Sequence, residues 1–469
     1  MTQSQSSPLA NILWSTGSSL ASAAIDIAKL AVMTVYLSPG ELGLYAILSV
    51  VLGFSQLFSE GGLANAIVSR ERLDSPLLGQ LFNLNLLLGL AIMLVAMAFA
   101  PVVANFYAMT ELTLLIPLIL LGIPFSAIIR FYQATLQQHL MMRLIGSGIV
   151  IAKAIGLVAT ILLCIWGFGI YALVGASLIT TLALCAIFAT KASEHISYQR
   201  GLAWSQVKPF ASFSAIQLGD QLLNFFSKNF DILLITKLLG TETAGLYHVS
   251  KSLLMRAGEV IVQSLSRYFH PLLANHRIHH PKNFDTTYLK FFRSVTFVNV
   301  LAYTLLAINH GWIIQLIFGP AFQQIGPLFV AMCLWLGLRF STAPVATLWL
   351  VKQKPQYGLY WNSFIVLILP ALIYTSAAGG NIGIVQTLSV AQALILVLAI
   401  AISISLCDKR GSATLHQGAW LGLMLAASAV SLWLGFNIKN LTSTLAFSIA
   451  VVSISIIIAY RTRNRLFLS

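Results

Sequence analysis

The sequence predicts an all-α integral membrane protein with about fourteen transmembrane helices. Of its 469 residues, 58% are hydrophobic and only 9% are charged, and the mean hydropathy is +0.87. A soluble domain carries about 25% charged residues, so this composition excludes an ordinary water-soluble protein. Apolar segments of roughly 20 residues or more follow one another, and each can cross a hydrocarbon core. The predicted spans are 11–37, 42–68, 77–104, 112–130, 144–166, 168–189, 210–239, 243–269, 289–309, 321–342, 357–378, 382–406, 417–436 and 441–460.

The distribution of Lys and Arg predicts how these spans are oriented. Loops with basic residues alternate with loops almost free of them, and Lys439 is the one base in the second set. Cytoplasmic loops hold the excess of Lys and Arg, so both termini are expected in the cytoplasm. The net charge of +14 is then a signal of topology and does not indicate a nucleic-acid partner.

A repeated phrase predicts that the chain is duplicated. Residues 37–45 (LSPGELGLY) and 239–247 (LGTETAGLY) both end in Gly-Leu-Tyr and lie 202 residues apart. The triplet ATL recurs at 134–136 and 346–348, now 212 residues apart, and the ten extra residues fit a longer loop around 275–285. Each repeat then holds six spans, and an even number gives both copies the same orientation.

The duplication predicts the domain organisation. An N-lobe with spans one to six is expected at 1–190, followed by a cytoplasmic linker at 191–208. A C-lobe with spans seven to twelve is expected at 209–406. Two appended spans and a basic tail complete the chain at 407–469. The predicted fold is therefore two parallel six-helix repeats with two additional C-terminal helices.

Several short motifs lie along the chain: LSPGELGLY at 37–45, SEGGL at 59–63, AIVSR at 66–70, APVVANFY at 100–107, QATLQQ at 133–138, GFGIYAL at 167–173 and NFD at 229–231. They resemble the motifs of polysaccharide-transporter flippases, which belong to the multidrug/oligosaccharidyl-lipid/polysaccharide (MOP) superfamily. Together they span roughly residues 10–405, and they resemble the colanic-acid-exporter branch most.

This resemblance implies a flippase of the bacterial inner membrane that is not an enzyme. Its substrate would be an undecaprenyl-pyrophosphate-linked oligosaccharide, moved from the cytoplasmic to the outer leaflet for O-antigen, capsule or exopolysaccharide synthesis. Two lobes would rock in alternating access, without a cofactor. Coupling to H⁺ or Na⁺ and contact with a glycan polymerase or export machinery are further expectations, besides contact with membrane lipids.

Basic residues inside the spans are candidates for binding the pyrophosphate, because each supplies charge-assisted hydrogen bonds. Charges at this depth are costly and by default indicate function. Lys153 lies roughly 15 Å from the cytoplasmic end of its span and either lines the cavity or pairs with a distant acid such as Asp26. Lys237, near the outer end of a span, is expected to extend to the interface. The candidate cavity cations are Lys153, Lys251, Arg256, Lys29 and Lys228.

Acidic residues near these cations leave two interpretations open. Asp26 and Lys29 lie one turn apart in one half of the chain, and Lys228 and Asp231 repeat this pair in reverse order. The pairs either neutralise each other locally or form cross-lobe contacts that latch one conformation. Arg256 and Glu259 have the spacing of a local helical ion pair. The candidate coupling or gating carboxylates are Asp26, Asp231, Asp220, Glu60 and Glu259.

No metal site is expected from the histidines and cysteines. His276, His279 and His280 are predicted to lie in a solvated cytoplasmic loop without a helical frame. The four cysteines contain no C-x-x-C pair and are interpreted as small core residues.

Three other functions compete with the polysaccharide flippase. A drug/cation antiporter of the same superfamily would favour a carboxylate-rich cavity, whereas these spans hold more bases than acids. A peptidoglycan lipid-precursor flippase stays open because it also has two appended spans. A membrane glycan polymerase or ligase is a distant alternative, since it needs a long extracytoplasmic loop and those predicted here are short.

Overall fold

The computed structural model describes residues 8–60, 75–139, 141–196, 204–354 and 356–405. All regular structure in these ranges is helical, which confirms the all-α prediction for them. Short 3₁₀ segments lie at Ser193–His195, Pro320–Ile325 and Ala377–Gly379. The α-helices are α1 (Pro8–Tyr36), α2 (Pro39–Glu60), α3 (Ser75–Tyr107), α4 (Leu112–Leu120), α5 (Ile123–Gln138), α6 (Met142–Ile165), α7 (Ile170–Ala192), α8 (Trp204–Leu239), α9 (Thr241–His279), α10 (Pro281–Ile308), α11 (His310–Ile317), α12 (Gly326–Ser341), α13 (Ala343–Val351), α14 (Gln356–Ser376) and α15 (Gly380–Ser405).

The helices carry the surface of a membrane protein. Nine helical segments of the described part are long and apolar enough to cross a bilayer. Large apolar side chains face outward, among them Val35, Leu94 and Leu367, which are 70%, 63% and 78% exposed. Such a surface suits hydrocarbon rather than water. The chain is therefore a multi-pass membrane protein, while predicted spans thirteen and fourteen lie outside the described residues.

The chain divides into two compact units between Gly245 and Leu246. The first unit holds α1 to α8 and the first turn of α9, and the second holds the rest of α9 and α10 to α15. Helix α8 packs against α2 and α3 inside the first unit. The lobe limits derived from the repeat, with a linker at 191–208, stay a prediction.

In the first unit, α6 and α7 form a closely packed antiparallel pair. A turn with Gly167 and Gly169 at φ +80° and +53° joins them, and side chains other than glycine rarely adopt such angles. Along α6, small residues are buried at every fourth position, namely Gly148, Ala152, Gly156 and Thr160. Small residues at this spacing let two membrane helices approach closely.

The start of α2 is fixed by a reciprocal capping arrangement. The Ser38 backbone N–H and hydroxyl both donate to Glu41 Oε2 at 2.9 Å, and the Glu41 N–H donates to Ser38 Oγ at 3.3 Å. Pro39 occupies the first helical position, where its missing N–H costs nothing. This capping box sets where the repeated phrase enters the helix.

In the second unit, α9 and α12 pack in close contact around aromatic rings. A Cβ atom at Gly258 would lie 2.1 Å from the Phe340 ring, so only glycine fits there. The Tyr303 hydroxyl on α10 donates to the Leu254 carbonyl at 2.8 Å. These contacts hold α9, α10 and α12 together and fix the depth of the charged residues on α9.

Two predicted spans are longer in the structure than the sequence suggested. Apolar helix continues over Leu112–Gln138 and Phe322–Val351, whereas spans were predicted at 112–130 and 321–342. The span predicted at 321–342 ended at the short break before Ala343, whereas the span predicted at 112–130 ended inside α5. As a result, Arg130 and Arg339 lie well inside the helical segments and not at their ends.

The longer loop predicted around 275–285 was also wrong. Helix α9 ends at His279 and α10 begins at Pro281, so the extra residues lengthen helices. His276 and His279 therefore have a helical frame, and His276 Nδ1 lies 2.8 Å from Thr287 Oγ1. No group of three metal-ligating side chains was found among the described residues.

Candidate functional site

An ion pair joins Lys153 on α6 to Asp26 on α1 within the first unit. Lys153 Nζ lies 2.7 Å from Asp26 Oδ2, and the two side chains are 26% and 23% exposed. The pair confirms one of the two interpretations of Lys153, an ion pair with a distant acid. Both side chains are about a quarter exposed, so the pair is not fully enclosed by protein.

The α6 helix places Lys153 accurately because its neighbours on the chain are locked in place. Ala152 is fully buried, and a Cβ at Gly156 would lie 1.9 Å from Thr180 Oγ1 on α7. These small residues pack on the α7 side of α6, and Lys153, which follows Ala152, projects toward α1. The small residues of α6 therefore determine the position of the intramembrane charge.

Lys29 and Asp26 share one face of α1, one turn apart. Lys29 is half-buried, as is Asp26. Since Asp26 pairs with Lys153 across two helices, this region combines two cations and one carboxylate in helices that cross the membrane.

The corresponding pair on α8 has a different arrangement. Asp231 is 1% exposed and its Oδ1 accepts the Ile232 N–H at 2.9 Å, whereas Lys228 is exposed. Asp231 is therefore enclosed by protein, whereas Lys228 lies on the helix surface. The cross-lobe latch between positions 26 and 228 stays a prediction.

In the second unit, Lys251 lies buried beside an indole ring. The Lys251 side chain is on α9 and the residue is 5% exposed, and its Nζ lies 5.8 Å from the centre of the Trp335 ring on α12. Arg339, one turn further along α12, lies 5.9 Å from the same ring. A cation at this distance from an indole is attracted by the ring quadrupole. One aromatic side chain thus holds two cations at the α9 and α12 contact.

Arg339 was missed as an intramembrane cation by the sequence analysis. It lies twelve residues before the end of the Phe322–Val351 segment, roughly 18 Å from that end. The usable signal was the apolar stretch after Thr342, which continues the span as α13. Trp335 carried no signal of its own, because its role depends on a contact with α9.

Arg256 and Glu259 form the local pair that their spacing predicts. Arg256 Nη1 lies 3.1 Å from Glu259 Oε2, three residues along α9. Their side chains are 47% and 35% exposed, so screening by solvent weakens the attraction. The backbone of Glu60 and Asp220 lies in α2 and α8, but their side chains are outside the described residues.

Lys237 contacts the end of α3. Its amine donates to the Phe106 carbonyl and lies 4.7 Å from the centre of the Phe106 ring. The neighbouring Tyr107 hydroxyl donates to the Leu233 carbonyl at 3.2 Å. A cation at the carboxyl end of a helix also interacts favourably with its dipole. These contacts assign Lys237 a structural role at the end of α3 and α8.

Comparison with solved structures identifies the fold. A structure titled "Lipid II flippase MurJ, inward closed conformation" matches with a TM-score of 0.74 at 14% identity, covering 96% of this chain and 99% of that one. An inward-facing multidrug-resistance MATE transporter of the MOP superfamily matches with a TM-score of 0.64 at 12% identity, covering 84% and 98%. The chain therefore has the fold of MOP-superfamily membrane proteins.

Comparison of the sequence then identifies the family. A family model described as "Polysaccharide biosynthesis protein" matches residues 32–327, and the chain belongs to this family. The lipopolysaccharide biosynthesis protein WzxC of Escherichia coli K12 is 22% identical over 94% of this chain and 87% of its own length. The amylovoran biosynthesis protein AmsL of Erwinia amylovora is 24% identical over 71% of this chain and 86% of its own length.

Proposed function

We propose that the chain flips a polyprenyl-diphosphate-linked oligosaccharide across the membrane for surface polysaccharide synthesis. The match to the polysaccharide biosynthesis family over 32–327 carries this proposal. The relatives named for lipopolysaccharide, amylovoran and succinoglycan biosynthesis support the same substrate class. The protein is proposed to act as a transporter and not as an enzyme.

The charges inside the helices agree with an anionic, lipid-anchored cargo. A diphosphate and a glycan do not enter hydrocarbon, so they need a polar path while the prenyl chain stays in lipid. Lys29 and Lys153 in the first unit lie in helical segments that can cross a bilayer, and Lys251 and Arg256 in the second lie on α9, within the predicted span 243–269. Each can donate charge-assisted hydrogen bonds to diphosphate oxygens. The surplus of bases over acids argues against a cavity built for cationic drugs.

Finer features of the fold are part of this proposal. The repeated phrase starts both α2 and α9, which supports two parallel six-helix repeats. Two further spans at 407–469 would bring the total to fourteen. Both termini would lie in the cytoplasm of a bacterial inner membrane, because the basic loops share that side. Asp26 and Asp231 are the proposed sites for H⁺ or Na⁺ coupling.

Deleting the gene in its source organism tests the substrate class. The expected result is loss of the surface polysaccharide and accumulation of a lipid-linked oligosaccharide on the cytoplasmic face, because synthesis continues while transfer stops. Lipid extraction with mass spectrometry identifies the glycan, and a plasmid copy of the gene is the control. Normal surface polysaccharide together with altered drug sensitivity would instead favour an antiporter.

A further inference from the structure

The two copies of the repeated phrase lie directly against each other in the first unit. A Cβ atom at Gly43, in the first turns of α2, would lie 2.0 Å from the Thr241 carbonyl oxygen. A Cβ atom at Gly245 would lie 1.9 Å from the Pro39 carbonyl oxygen and 2.9 Å from the Gly43 nitrogen. Contacts below 3.0 Å leave no space for a side chain. Each glycine therefore admits the backbone of the opposite copy.

This contact is self-complementary. The repeat offset of 202 residues relates Gly43 to Gly245 and Pro39 to Thr241. Gly43 contacts Thr241, and Gly245 contacts Pro39, which is the residue equivalent to Thr241. The two contacts are therefore equivalent, as in an interface with two-fold symmetry. Neither glycine has a positive φ angle, so close approach, and not backbone conformation, requires glycine at both positions. We call these four residues the glycine seam.

An aromatic layer continues the contact from the glycine seam along α2 and α8. The Phe54 ring centre lies 6.1 Å from that of Phe225 and 5.5 Å from that of Phe226. A Cβ at Gly53 would lie 2.9 Å from the Phe225 ring. Gly53 is ten residues beyond Gly43, roughly 15 Å along the helix. The helices are thus in contact from the glycine seam to Gly53, a length that corresponds to about half of a bilayer core.

The chemistry of the seam suits a contact that opens and closes. Its two glycine contacts involve backbone and small residues and contain no ion pair, so opening leaves no buried charge uncompensated. Residues 38–41 and 240–242 belong to the predicted connections without bases, which are on the outer side in the proposed orientation. We infer that the glycine seam is the outer gate of the transport path, closed in this structure. This inference rests on the proposed flippase function.

A distance measurement in the purified protein tests the seam without measuring transport. Spin labels on Glu111→Cys and Glu242→Cys, both exposed positions, report the separation of α4 from the first turn of α9 by pulsed electron spin resonance. The label sites are introduced after replacement of the four native cysteines. Gly43→Ala or Gly245→Ala adds one methyl group to the seam. We expect the ratio of long to short distances to rise about tenfold, since overpacking disfavours the closed contact.

Gly40→Ala is the matched control, because it adds the same methyl group in the same turn and has nothing within 4 Å. Alanine also favours helix over glycine, so a loss of helix cannot explain an effect at Gly43. Unchanged distances in both seam variants would overturn the inference. An equal shift in the Gly40→Ala control would overturn it too.

A cleavable cross-link tests whether the seam must open for transport. Gly40→Cys and Glu242→Cys, which the repeat relates to each other, are joined by a thiol cross-linker with an internal disulfide. Flipping by the linked protein should stop and return on reduction, whereas the single-cysteine variants stay active. Undiminished flipping by the linked protein would contradict the gate. The gate and the substrate can fail separately. If the label distances shift but the deletion strain accumulates no lipid-linked glycan, the glycine seam is supported as a gate and the proposed substrate is wrong.

Discussion

Replacing Lys153 by methionine is expected to abolish transport and to reduce the amount of folded protein. The change leaves the Asp26 carboxylate within the membrane-spanning helices without the amine that lies 2.7 Å from it. Removing one partner of a buried ion pair typically costs about 3–5 kcal/mol, and the quarter exposure of both side chains here places the loss toward the lower end. Membrane levels and thermal unfolding in detergent measure the effect.

A double variant separates structure from transport at this pair. Lys153→Met with Asp26→Asn removes both charges, so protein levels should return while flipping stays absent, because the diphosphate has lost its cation and a proposed coupling carboxylate is gone. The exposed pair on α9 supplies the control: Arg256→Met with Glu259→Gln should change stability by about 1 kcal/mol or less. Wild-type flipping by the Lys153 and Asp26 double variant would show that Lys153 serves only to neutralise Asp26.

The second large effect is expected at Gly156. A leucine there has to displace Thr180, whose Oγ1 would lie 1.9 Å from the new Cβ, and so separates α6 from α7. Overpacking of this kind costs about 1–3 kcal/mol or more, and here it also moves Lys153 away from Asp26. We expect a lower unfolding temperature and loss of flipping.

A second leucine variant on the same helix is the control for Gly156→Leu. Ala154 is exposed, so Ala154→Leu adds a similar side chain toward lipid and should leave stability near the wild-type value. Thr180→Gly in the Gly156→Leu background should recover part of the stability, since it removes the opposing side chain. Equal stability of the Gly156→Leu and Ala154→Leu variants would refute close packing of α6 on α7.

Hydrophobic composition predicted the helical membrane class because burial in lipid requires long apolar helices throughout. It failed where a helix pauses without leaving the membrane. Pro124 and Pro344 follow short breaks inside continuous spans, and proline is tolerated there because neighbouring groups satisfy the freed backbone. The span predicted at 321–342 therefore ended early, and Arg339 was placed close to its end and not well inside the helical segment.

The individual charged residues were easier to find than their partners. Local spacing predicted the Arg256 and Glu259 pair, because residues three apart on a helix are neighbours. The contact of Lys153 with Asp26 joins residues 127 positions apart, so the sequence could only offer it as one of two interpretations. The Trp335 contact with Lys251 depends on how α9 and α12 pack, and no local pattern encodes it.

The contact between the two copies of the repeated phrase also could not be predicted from local sequence. Its two copies were recognisable as a duplication from residue identity alone. That Gly43 and Gly245 receive the backbone of each other's copy follows only from the helix positions. The glycines in the phrase could have served a turn, a helix end or a close contact, and the structure selects the close contact.

Flipping by the purified protein in liposomes tests the central claim most directly. A polyprenyl-diphosphate-linked oligosaccharide is incorporated on both leaflets, and an enzyme or lectin added outside measures how much becomes accessible over time. We predict that the wild-type protein makes the inner-leaflet substrate accessible and that the double variant at Lys153 and Asp26 does not. Accessibility no greater than in protein-free liposomes, with uptake of a cationic drug instead, would contradict the account.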